Sequence, residues 1–180
     1  MCTAAALCLP LIALFAWLRK GLAVRSYLAL LPVGPAPLLK WLGISLLFMI
    51  ACDATAHFFG RPIVPDFIVE AYETAGIPPL LWLALVVAAT LFEEFFFRGF
   101  LFAGFRESRL GVPGAIILTS FLWAIMHTQY DAYNLTIIFI LGLLFGLARQ
   151  RTGSIYPTLA THAMINLVSI VQVSYYLDLR

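Results

Sequence analysis

Three short groups of polar residues stand out because they interrupt otherwise apolar stretches. The first is Glu93, Glu94 and Arg98, the second Trp123 and His127, the third His162 and Asn166. A charged side chain at the centre of a bilayer costs about 2.5–3.5 kcal/mol on insertion scales, so such residues face protein or water and are candidates for function. On a helix, Glu94 and Arg98 lie four residues apart and share a face, so they are placed to pair. Glu93 is rotated about 100° from Glu94 and is left outside that pairing. The spacing therefore predicts a division of labour in which Arg98 neutralises Glu94 and Glu93 remains for chemistry. A purely structural ion pair that fixes helix packing is the competing reading of the same three residues.

Trp123 and His127, and likewise His162 and Asn166, are also spaced by four and so share a face. A single membrane histidine is commonly just hydrogen-bonded to a neighbouring helix, and His57, close to Asp53, is read that way. A carboxylate, two imidazoles and a carboxamide on three spans are a different matter. Together they are the inventory for activating a water molecule and stabilising an oxyanion.

The elements that must position these groups follow from composition. Of the 180 residues, 63% are hydrophobic and only 11% charged, against about 25% charged in soluble domains. Disorder, a nucleic-acid-binding surface and an ordinary cytosolic enzyme are excluded. Six stretches approach the ~20 apolar residues that cross a bilayer as a helix: 1–18, 41–59, 79–105, 110–130, 132–148 and 152–177. No ten-residue alternation of barrel type is present. The expected fold is an all-α, polytopic transmembrane helix bundle of about six spans, forming one integral membrane domain over residues 1–180.

Arg19, Lys20, Arg25 and Lys40 fall between the first two spans, Arg106 and Arg109 between the third and fourth, Arg149 and Arg151 between the fifth and sixth. Every second loop is basic, which places both termini away from the cytoplasm. The first apolar run lacks a basic n-region and a small-residue cleavage site, so it is read as a retained helix. Segment 25–37, rich in proline, reads as a loop and segment 66–75 as a short interfacial helix. Cys2, Cys8 and Cys52 show no spacing that suggests a disulfide framework or a metal knuckle.

The order Glu-Glu-x-x-x-Arg, aromatic-x-x-x-His and His-x-x-x-Asn, each on an apolar span, resembles the CAAX-protease and bacteriocin-processing family of intramembrane endopeptidases, which includes Rce1. The likeness covers about residues 79–170, and Phe97–Phe102 and Arg151–Ser154 also look family-like. The family usually has Phe where this chain has Trp123, and an aromatic packing role tolerates the change. The resemblance implies hydrolysis of a peptide bond near the membrane. Glu93 would be the general base, His127 would position or polarise the water, and His162 and Asn166 would donate to the oxyanion. Glu94, Arg98 and Trp123 would hold the site in shape.

On metals the resemblance points two ways. Glu93, His127 and His162 are three candidate zinc ligands with a fourth position for water. A metal-free glutamate mechanism uses the same residues, requires no cofactor and is preferred. The implied partners are membrane lipid and a protein or peptide substrate with a membrane-proximal cleavage site, in a bacterial inner membrane. The competing functions are a bis-histidine haem protein, a proton-coupled carrier and a non-catalytic immunity or scaffold protein. Helix arithmetic at 1.5 Å per residue leaves one difficulty. Glu93 and His162 fall at similar depth, whereas His127 falls near the outer end of its span, unless that span is short or its loop dips into a wet cavity.

Overall fold

A computed structural model describes residues 2–19, 21 and 23–178, with side chains described from residue 8 onward. Among the described residues there are helices and no strands. They are α1 (Cys2–Leu18), α2 (Val24–Tyr27), α3 (Pro35–Phe58), α4 (Asp66–Glu73), α5 (Pro78–Arg106), α6 (Gly111–Ile125), α7 (Ala132–Thr152) and α8 (Tyr156–Asp178). The all-α bundle expected from composition is the observed fold.

Three helices, α3, α5 and α7, are long and apolar enough to cross a membrane. Residues Cys8–Leu18 and helix α6 are apolar but shorter. Helix α8 has the length, at 23 residues, but His162, Asn166 and Gln172 interrupt its apolar run. Large apolar side chains point outward, including Leu39 and Leu47 on α3, each more than 60% exposed. Such a surface suits lipid and not water.

Several boundaries differ from the expected ones. The proline-rich segment 25–37 is not all loop, because Pro35 starts α3 at a position where a missing N–H costs nothing. The fifth span runs on to Thr152 and ends at Gly153 in the left-handed conformation (φ 68°). The fourth span stops at Ile125, five residues early. At 15 residues it covers only about 22 Å, so it is a short helix and residues 126–131 turn back across its end.

Helix α5 is irregular where it matters. Its Leu83–Ala89 and Glu94–Leu101 stretches are π-helical, with α-helical turns before, between and after them. Wide turns of this kind concentrate at functional sites. Their backbone carbonyls are met from neighbouring helices: Asn166 Nδ2 donates to Leu85 O (2.9 Å) and Arg149 Nε to Arg98 O (3.0 Å). Helices α6 and α7 approach each other most closely through glycine. A Cβ on Gly142 would lie 2.8 Å from Ser120 Cβ, and one on Gly146 3.0 Å from Ile116 Cγ2, the small-xxx-small packing of membrane helices. Ser154 joins the two ends of the chain by donating to Leu31 O (2.6 Å) and accepting from the first N–H of α8 (3.1 Å).

Candidate active site

Glu94 and Arg98 are fully buried and paired, Nη1 to Oε1 at 3.2 Å. The same carboxylate oxygen accepts from His162 Nδ1 at 2.9 Å. The guanidinium lies over the ring of Trp123 (4.3 Å to the centroid) and near that of Phe145 (5.1 Å), so π faces supply part of its solvation. Glu94 Oε2 and Arg98 Nε and Nη2 have no hydrogen-bond partner among the described residues. This is a fully buried ion pair.

Glu93 is arranged differently. Its side chain is 14% exposed, lines a cavity, and has no Lys or Arg within ion-pair distance among the described residues. Trp123 Nε1 donates to Oε2 (2.5 Å) and His162 Nε2 stands 3.9 Å from the same oxygen. The expected pairing of Glu94 with Arg98, with Glu93 outside it, is the one observed.

Trp123 organises the remainder. Its carbonyl accepts from His127 Nδ1 (2.8 Å), and its ring meets the imidazoles of His127 and His162 edge-on at 5.3 and 5.4 Å. A carbonyl only accepts, so Nδ1 of His127 carries the hydrogen and Nε2 of a neutral ring is left as an acceptor. Residue 123 was expected only to pack. The indole N–H does something no phenylalanine can, and the residue type itself was the available signal. His127 reaches the cavity because α6 is short and its following turn folds inward, which removes the depth difficulty.

The cavity, of about 320 Å³, is walled by side chains from α3, α4, α5, α6, α7 and α8 and includes Glu93, Trp123, His127, His162 and Asn166. The three sequence groups therefore meet at one place. Asn166, however, spends its amide on Leu85 O and on Thr90 Oγ1 (3.1 Å), and so ties α8 to the π-helical part of α5. Tyr130 stands at the mouth, its ring 6.1 Å from that of His127. Burial, followed by the nearby Glu93 charge, pushes its phenol up to about 12, so it is neutral at physiological pH. His57 is exposed near the end of α3 and does not line the cavity.

Among the described residues no three His, Cys, Asp or Glu side chains converge as a ligand group. Nδ1 of His162 is engaged by Glu94 and Nδ1 of His127 by a carbonyl, which leaves Nε2 of each ring as the atom that would face a metal or a water molecule.

An apolar helical bundle enclosing carboxylate, imidazole and carboxamide groups in a cavity defines an integral membrane protein with a polar site inside it. The signature of the family described as type II CAAX prenyl endopeptidase Rce1-like matches residues 75–168, just over half of the chain. The chain belongs to that family, and all seven residues discussed above fall inside the match. Comparison with curated proteins and with solved structures gave no match.

Proposed function

We propose that the protein is an intramembrane endopeptidase in which Glu93 activates water to cleave a peptide bond held in the cavity. The single observation that carries this reading is the contrast between the two adjacent glutamates. Glu94 is locked to Arg98 and His162, whereas Glu93 faces the cavity, hydrogen-bonded by the Trp123 indole and 3.9 Å from His162 Nε2, with no Lys or Arg partner among the described residues. Glu93 takes a proton from water as the hydroxide adds to the scissile carbonyl, then returns it to the leaving amine. His127, held through Nδ1, offers Nε2 to orient that water.

The developing oxyanion needs donors. His162 meets Glu94 through Nδ1, so Nε2 is the ring atom it offers to the substrate oxygen. Asn166, one turn along α8, joins when it exchanges Leu85 O or Thr90 Oγ1 for the substrate. Until then it positions the site. The substrate is a protein or peptide cleaved near the membrane, in a C-terminal or processing segment. The alternation of basic loops supports a cytoplasmic membrane with both termini outside.

The test is Glu93→Gln in purified, folded protein. Comparing the C-termini of membrane proteins with wild type and variant should show products only with wild type. Equal product formation by the variant removes Glu93 as the base.

A further inference from the structure

The same cavity holds a second carboxylate that the proposed chemistry does not use. Asp53, on α3, lines it together with Gln172 of α8, and Gln172 Nε2 donates to Asp53 Oδ2 at 2.8 Å. No Lys or Arg is among the residues lining this space. Arg98 is sealed beneath it at 0% exposure, and Arg61, beside the mouth, is paired with Asp131 and stacked on Tyr133. Asp53 has no cationic partner within ion-pair distance among the described residues. A carboxylate kept in an apolar span without a counter-charge is costly and points to a ligand that supplies one. Gln172 fixes one oxygen and leaves the other free to accept.

We infer that Asp53, held by Gln172, is a specificity-determining subsite that takes a cationic group of the substrate, a lysine or arginine side chain, while the apolar wall takes the residues around it. This rests on the proposed reading that the cavity is where the peptide binds. The charge pattern runs against recognition of a free C-terminal carboxylate here, since Glu93 and Asp53 would both repel it. Position sets the register. Gln172 is six residues beyond Asn166 on α8, about 9 Å along the helix, or about three residues of an extended peptide. The cationic residue therefore stands about three positions from the bond that is cut.

The experiment measures binding, not cleavage. Fluorescent apolar peptides that carry either lysine or norleucine at one scanned position are titrated, by anisotropy, against the full chain in an uncharged detergent. For the wild type, at the preferred position, the lysine peptide should bind about tenfold tighter, as a charge-assisted hydrogen bond gives. In Asp53→Asn the ratio should fall to about one. Gln172→Lys, which keeps the carboxylate but neutralises it in place, should do the same and covers the case that the first variant fails to fold. Equal binding of both peptides by the wild type, no binding of either, or a ratio that survives both substitutions would overturn the inference. Because the readout is binding, peptides that bind with the lysine preference but are never hydrolysed would refute the endopeptidase reading and leave a cation-binding subsite at Asp53 standing.

Discussion

Glu94→Gln should unfold the protein far more readily than Glu93→Gln, although the two residues are adjacent and chemically identical. The change at position 94 leaves the Arg98 cation at 0% exposure with no anion, and stranding one member of a buried pair costs about 3–5 kcal/mol. For a chain of this length that lowers the melting midpoint by about 6–20 °C. Arg98→Met should cost a similar amount by stranding Glu94. The double variant is the informative one. Glu94 Oε2 and two guanidinium nitrogens already lack hydrogen bonds, so the pair is imperfect and its joint replacement by neutral groups should recover most of the loss. What is not recovered is the contact of the guanidinium with Trp123 and Phe145, worth about 2 kcal/mol when desolvated. Thermal unfolding in detergent, followed by tryptophan fluorescence, reads the full cycle. Proteolysis should stay low in the double variant, since His162 has lost the carboxylate that holds Nδ1. Single variants that melt within about 2 °C of wild type, or a double variant whose loss equals the sum, would refute the reasoning.

Trp123→Phe keeps an aromatic face for Arg98 but deletes the N–H that holds Glu93, so kcat/KM should fall by about 10–100-fold with a smaller melting shift than Glu94→Gln; initial rates at equal folded fraction decide it. Gly142→Ala drives a methyl to within 2.8 Å of Ser120 Cβ and should cost about 1–3 kcal/mol, whereas Gly43→Ala meets nothing within 4 Å and should be neutral or slightly stabilising, as melting midpoints will show. Tyr130 should ionise only near pH 12. Its folded state favours the neutral phenol, so that contribution is complete below pH 10 and fades as pH rises toward 12. The limb of the tyrosinate absorbance titration near pH 12 should vanish in Tyr130→Phe.

Sequence reasoning went furthest where a rule of spacing governs the geometry. Glu94 and Arg98 pair because residues four apart meet on a helix, and Glu93 turns away for the same reason. That these charges would face protein or water followed from the cost of charge in lipid, whereas the complete burial of Glu94 and Arg98 emerged only from the packing. The π-helical turns of α5 were not legible, because they depend on groups far along the chain. Gly99 lets the Leu28 side chain and carbonyl come to 3.4 and 3.5 Å of where a Cβ would be, and Arg149 and Asn166 collect carbonyls from across the bundle. The end of α6 was missed since the apolar run continues through Met126 while the backbone has already turned. Trp123 was read by size and ring alone, and its N–H acquired meaning only when Glu93 was placed beside it. Asp53 carried a signal, a charge inside a span, but its proximity to the cavity depends on the packing of α3 against α8.

The central claim is that Glu93 performs the proton transfer while its neighbour holds the structure. The most direct measurement is the cleavage rate of Glu93→Gln at a melting midpoint matched to wild type. The expected result is a loss of about 10²–10⁴-fold with the fold intact. A folded variant that cuts the same substrates at close to the wild-type rate would contradict the account.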